Sequence, residues 1–212
     1  MAVRGRLQWE VFPVGALETN CYLVWCASTK EGILLDPGDE SDEPFALAES
    51  EGIRISTIIT THGHFDHIAG AEDAKPRTSA GLLLHGADHA IALTPPIEAA
   101  FFVGRATHPT HASGKLTEGQ IITIGDCALQ VMETPGHTPG CVCLHGHGVV
   151  FSGDTLFYHS IGRTDLPGGD PDEIVASVTE RLFHLPDDTL VLPGHGRSTT
   201  IGEERDENPF VL

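Results

Sequence analysis

Thr60-Thr-His-Gly-His-Phe-Asp-His-Ile-Ala-Gly70 carries three histidines and a carboxylate, His62, His64, Asp66 and His67, within six residues. Before it, Ile55-Ser-Thr-Ile-Ile-Thr60 is apolar and β-branched and reads as a buried strand. After it, Ile68-Ala-Gly-Ala-Glu-Asp-Ala74 reads as a helix start. The polar side chains therefore sit on the turn leaving the C-terminal end of a strand, where open α/β sheets place their sites. Such a turn can aim His62 and His64 at one point and swing Asp66 and His67 toward a second. Imidazole and carboxylate are good ligands for zinc and similar divalent ions. The plain alternative is a polar loop with incidental histidines.

Working outward, the same arrangement recurs. Gln120-Ile-Ile-Thr-Ile-Gly-Asp126 and Cys127-Ala-Leu-Gln-Val-Met-Glu133 read as a hairpin around Gly125-Asp126. The second arm runs into Thr134-Pro-Gly-His-Thr-Pro-Gly140, a rigid turn with His137 at its tip. A strand pair, residues 141–144 and 148–151, leads to Ser152-Gly-Asp-Thr-Leu-Phe157, with Asp154 just past a strand end. Residues 189–193 form a last strand and deliver Gly194-His195-Gly196. Four turns, each after an apolar strand, thus bring a ligand type to one rim.

Elsewhere, residues 8–14 and 20–26 read as a strand pair. Gly32-Ile-Leu-Leu-Asp-Pro-Gly38 is a short strand ending on Asp36, which either supports a ligating histidine or caps the next turn. A helix capped at Ser41 runs to about Gly52, a strand covers 82–85 and a short helix 87–93. Residues 94–115 break all periodicity, and Phe101-Phe102 suggest a partly apolar cover over a pocket. His108 and His111 in that loop read as solvated. Residues 171–183 read as one helix, and 200–207 as a closing helix stopped by Asn208-Pro209.

A length of 212 residues with 40% apolar content suits one domain, residues 1–212, with a real core. Twelve basic against thirty acidic residues, net −18, argue against nucleic acid or an anionic membrane as partner. No run of about twenty apolar residues reads as a membrane span. Residues 1–6 are too short and polar for a secretory leader, and the five cysteines are odd in number. Cys21, Cys26, Cys127, Cys141 and Cys143 therefore read as reduced core thiols of a cytoplasmic protein.

The His-x-His-x-Asp-His pattern of residues 62–67 resembles the metallo-β-lactamase superfamily. The resemblance implies an α/β (α+β) fold, an αββα sandwich of two mixed β-sheets face to face with helices outside. Pattern alone gives only α/β or α+β. Carried over, His62, His64 and His137 would hold one metal, Asp66, His67 and His195 a second, and Asp154 would bridge both. The runs 152–157, 162–170, 193–196 and 199–210 look like the glyoxalase II (hydroxyacylglutathione hydrolase) branch, in its short bacterial type without a C-terminal helical domain. Arg163 falls where that branch places a basic residue for the glutathione carboxylate. Its local alternative is a loop ion pair with Asp165 or Asp170.

The chemistry implied is hydrolysis by a hydroxide bridging two divalent ions, zinc first, with iron or manganese as alternatives. Asp66 and Asp154 are the catalytic carboxylates of that reading, Asp66 orienting the nucleophile. A thiolate leaves without much protonation whereas an amide nitrogen needs a proton, so a thioester is expected, a glutathione conjugate among the candidates. The alternatives are a persulfide dioxygenase with one iron on His62, His137 and Asp154, a lactonase, and a non-catalytic metal-binding module.

Overall fold

The computed structural model describes residues 7–104, 106 and 108–211, so the reading of residues 1–6, and of Arg105 and Thr107 in the 94–115 loop, lies outside it. Period-two alternation builds a first sheet. β1 (Leu7–Val14) and β2 (Thr19–Cys26) pair antiparallel, with Leu7 opposite Cys26, and β3 (Glu31–Leu35) adds antiparallel to β2. Helix α1 (Glu43–Glu51) crosses to β4 (Arg54–Ile59), which lies parallel to β3. Helices α2 (Phe65–Ile68) and α3 (Ala71–Thr78) lead to β5 (Gly81–His85). A 3₁₀ turn, α4 (His89–Leu93) and α5 (Ala99–Val103) lead to β6 (Gly114–Leu116), and β4, β5 and β6 are mutually parallel.

The second sheet begins with an antiparallel meander, β7 (Ile121–Ile124), β8 (Cys127–Glu133), β9 (Val142–Gly146) and β10 (Val149–Gly153). A small hairpin follows, β11 (Leu156–Phe157) with β12 (Ser160–Ile161). Helix α6 (Pro171–Ala176) crosses to β13 (Leu190–Pro193), parallel to β10, and β14 (Thr199–Thr200) and α7 (Ile201–Glu207) close the chain.

Both sheets are therefore mixed, and successive side chains divide between two apolar layers. Ile33, Leu35 and Ile59 of the first sheet meet Leu129, Leu144 and Phe151 of the second in a central core. Their neighbours Leu34, Ile58 and Leu82 point the other way, onto Ala48, Ala71 and Ala74 of the helices. On the far side, Val150 and Val191 meet Val178, Leu182 and Ile201. This is the expected αββα sandwich. Phe151 is fully buried against Trp9 and Tyr22, so Phe151→Ala would cost about 3–5 kcal/mol.

Four local expectations need correction. The helix after the histidine motif starts inside it, at Phe65. The 94–115 stretch is not wholly irregular, because Ala99 is buried under α5, Gly104 ends that helix at φ 72°, and β6 pairs with β5. The helix expected over 171–183 divides into α6, a π turn over Ser177–Arg181 and a 3₁₀ turn over Leu182–His184. The Thr179 hydroxyl donates back to Val175 O there, competing with the regular ladder, and the Ser177 hydroxyl ties the segment to Pro135 O. The cap of α1 is Asp42 rather than Ser41, although Ser41 Oγ accepts from Glu43 N.

Candidate metal centre

β3, β4, β8, β10 and β13 all end at one edge of the sandwich, and each releases a turn there. Asp36 follows β3 in the left-handed region at φ 51°, a conformation Asp tolerates better than most residues. One of its oxygens accepts from Thr61 N at 2.7 Å, and the other accepts from Thr61 Oγ1 at 2.9 Å. That second oxygen also lies 3.1 Å from His67 Nδ1. Asp36 thus stands behind a histidine, as the first of its two readings expects, and its carboxylate braces the turn after β4 rather than capping the turn that follows β3.

The turn after β4 brings His62 and His64 against His137. His64 Nδ1 lies 2.8 Å from His137 Nε2, and the His62 ring centroid is 4.8 Å from each of the other two. His62 Nε2 is buried and has no hydrogen-bond partner among the described residues. Asp66, His67 and His195 form a second group. His195 Nε2 lies 3.3 Å from both His67 Nε2 and Asp66 Oδ2. Asp154 stands between the groups, with Oδ1 3.3 Å from His67 Nε2 and Oδ2 3.6 Å from the Nε2 atoms of His137 and His195.

The far nitrogens are fixed by carbonyl oxygens, which only accept. His137 Nδ1 donates to Arg163 O at 2.7 Å and His195 Nδ1 to Leu17 O at 3.0 Å. Each bond leaves a lone pair on Nε2 facing the cluster, the arrangement a metal-binding histidine uses. Burial, then the imidazoles of His67, His137 and His64, holds His62 well below its ordinary pKa. Burial and His137 hold His64 down to about 4 against the pull of Asp66. Burial also opposes charge on His67, but the carboxylates of Asp154, Asp36 and Asp66 outweigh it and raise His67 well above its usual value. The same contacts, with His67 foremost, lower Asp66 and Asp154 against their own desolvation. Low-pKa imidazoles at His62 and His64, ionised carboxylates and an unpartnered buried nitrogen suit a divalent cation, which at the second group would take the place of the proton that the carboxylates favour on His67 and His195.

The two groups are held together across the sheets. Asn20 of β2 donates through Nδ2 to Pro193 O and Gly196 O, both at 2.9 Å, and Tyr22 OH donates to Pro193 O at 2.8 Å. Gly194 leaves the room the cluster needs, since a Cβ there would lie 2.2 Å from Asp154 Oδ1.

The cluster floors a cleft of about 870 Å³. Arg163 lines it, 62% exposed, with Nε and Nη2 donating to Asp165 at 2.6 Å each. The local ion pair that the sequence offers as an alternative is therefore present. Phe102 lines the cleft and stacks on Phe65 at 6.0 Å, as the cover reading expects, while Phe101 is 86% exposed. His108 and His111 are exposed and lie outside the cluster. The five cysteines are buried and form no disulfide with one another.

Two features escape the sequence. Asp88 is fully buried and accepts from Gly63 N at 2.8 Å, Thr138 Oγ1 at 2.6 Å and Gly140 N at 2.7 Å, joining the His62–His64 turn to the His137 turn. His159, left outside the motifs, has Nε2 3.5 Å from both Glu203 and Glu207 of α7, away from the cleft. Only the i,i+4 spacing of the two glutamates hints at that second grouping.

Comparison with known proteins extends this picture. A family model described as Metallo-beta-lactamase superfamily matches residues 14–195. The hydroxyacylglutathione hydrolase GloC of Haemophilus influenzae is 33% identical over 209 residues, covering 95% of this chain and 97% of that one. The mitochondrial persulfide dioxygenase ETHE1 of Bos taurus is also 33% identical, covering 90% of this chain and 70% of that one. Among solved structures, BLEG-1 B3 metallo-beta-lactamase superposes with a TM-score of 0.88 at 36% identity, over 96% of this chain and 99% of that one. TTHA1623 in a di-iron-bound form superposes with a TM-score of 0.82 at 38% identity, over 94% of this chain and all of that one.

Proposed function

This chain belongs to the metallo-beta-lactamase superfamily, and from that premise we propose that it is a dinuclear metal-dependent hydrolase of thioesters. One observation carries the proposal: two three-residue groups converge separately, and Asp154 reaches both. His62, His64 and His137 would hold one divalent ion, and Asp66, His67 and His195 the other, with Asp154 within reach of both. Two ions so held would supply an activated water at neutral pH and polarise a carbonyl oxygen. The di-iron form of a relative makes iron as serious a candidate as zinc or manganese.

Asp66 opens onto the cleft and orients the attacking water. Asp36 and the carbonyls of Arg163 and Leu17 keep the imidazoles in register while charge develops on the substrate. Among the described lining residues, Arg163 is the one titratable group outside the proposed ligands, and a guanidinium does not give up its proton. An amide nitrogen would therefore find no proton donor, whereas a thiolate can leave unaided. Arg163 binds a carboxylate on the leaving thiol, as on a glutathione conjugate, by exchanging its bond to Asp165. Buried cysteines outside any disulfide suit a reducing, cytoplasmic setting. Among the described residues no helix is long and apolar enough to cross a membrane.

The likeness to a persulfide dioxygenase supports a second reading, with one iron on His62, His137 and Asp154. Thioester, lactone and persulfide substrates assayed on one preparation of measured metal content separate the two. Two ions per chain with thioester turnover support the proposal, and one iron with persulfide oxidation overturns it.

A further inference from the structure

We propose that the acyl portion of the substrate is an uncharged, apolar chain of about four or more carbons, held against the wall formed by α2, α4 and α5; this rests on the thioester reading above. The cleft floor is polar, but this wall is not. Leu17, Phe65, Ile91, Pro96 and Phe102 line it, and Thr94 is its one hydroxyl. Phe65 directly follows His64 in sequence and stacks on Phe102, so the apolar surface begins beside the first metal group and continues outward without a break. Beyond Phe102 it reaches the mouth, where Phe101 packs edge-on against Phe102 and Ile97 is 91% exposed.

Charge points the same way. The one described cation in the lining, Arg163, belongs to the separate segment 157–167, whose Phe157, Ile161, Leu166 and Pro167 are also apolar, and has Asp165 as partner. A carboxylate on the acyl side would meet no cation among the described lining residues, would stand near Asp66 and Asp154, and would enter a protein of net charge −18. An alkyl chain would instead remove Phe102 and its neighbours from water. A cleft of about 870 Å³ has room for such a chain together with part of the carrier thiol. Hydrolysis is balanced by one water: its oxygen joins the acyl carbon, the C–S bond breaks, and the products are the carboxylate, the free thiol and a proton.

The measurement is kcat/KM for acetyl, butyryl, hexanoyl and octanoyl thioesters, each on glutathione and on the neutral thiol N-acetylcysteamine, using the metal-loaded enzyme. Burial of each methylene predicts a rise of up to about four-fold per carbon on both carriers, until the wall is covered. Phe102→Ala, at a position 41% exposed, should lower the octanoyl-to-acetyl ratio by about ten-fold or more. Turnover that is flat or falls with chain length overturns the inference and leaves the thioester reading standing. An unchanged ratio in Phe102→Ala overturns the assignment to this wall. Absence of turnover on every thioester overturns the reading beneath it.

Discussion

Removing the carboxylate of Asp88 should weaken the protein and its metal binding together. Asp88 touches no proposed ligand side chain. It accepts from Gly63 N, between His62 and His64, and from Thr138 Oγ1 and Gly140 N, on either side of the His137 turn's end. Alanine at 88 would strand two buried N–H groups at about 1–3 kcal/mol each, roughly 2–6 kcal/mol in all. At about 2–4 °C per kcal/mol for a chain of this size, the melting temperature should fall by roughly 4–24 °C. Asp88→Asn keeps the shape but sets an NH₂ against a donor, so it should lose about 1–3 kcal/mol and remain folded. The 2.8 Å approach of His64 to His137 depends on both turns being held. Metal affinity in Asp88→Asn should then drop by about 10–100-fold, the order seen when partners behind metal ligands are lost. Thermal unfolding of the metal-free protein and competitive chelator titration of the loaded protein report the two effects separately. Asp88→Asn with wild-type stability and wild-type affinity would refute the bracing role.

Asp154→Ala should lose measurable hydrolysis and retain less than the full complement of metal; a variant keeping both ions and full turnover would contradict the bridge. Arg163→Ala should raise KM for glutathione thioesters with an unchanged melting temperature, because its pair with Asp165 is solvent-exposed; a drop in stability with KM unmoved would make Arg163 scaffolding. Thioesters should exceed β-lactams in kcat/KM by about 10²–10⁴-fold, the worth of a missing general acid, and nitrocefin turnover matching a thioester in zinc, manganese and iron forms would reverse that assignment. Stripping the metal should lower the melting temperature and re-addition restore it, by about 2.7 kcal/mol at a hundred-fold excess over Kd; an indifferent melting curve would argue against ions at these groups.

The ligand-bearing rim is legible in the sequence because each of its parts is local. His62 to His67, His137, Asp154 and His195 each follow a strand whose apolar alternation is visible by itself, and Pro-Gly pairs mark the His137 turn. Which groups converge came from the family resemblance, as did the stacking of one sheet on the other. Asp88 stayed hidden because its partners lie 25, 50 and 52 residues away and nothing around it is unusual for a helix start. The broken helix after Ala176 was missed for a similar reason: its cause includes the contact from Ser177 to Pro135, 42 residues back. Helix α5 was obscured by the prolines and glycine that flank it. Arg163 lay open to two readings from the start, and an i,i+2 ion pair is the kind of contact a sequence does reveal.

Each proposed group of ligands draws on both sheets: His62 and His64 with His137, and Asp66 and His67 with His195. Neither half of the sandwich alone can surround an ion. A bound cation is consequently a rivet between the sheets, closing a loop of some seventy residues in one case and well over a hundred in the other. The Asn20 and Tyr22 contacts to Pro193 hold the same seam, so a bound ion would add to them in resisting separation of the two sheets. The metal-free protein should accordingly be the form whose two halves come ajar more often.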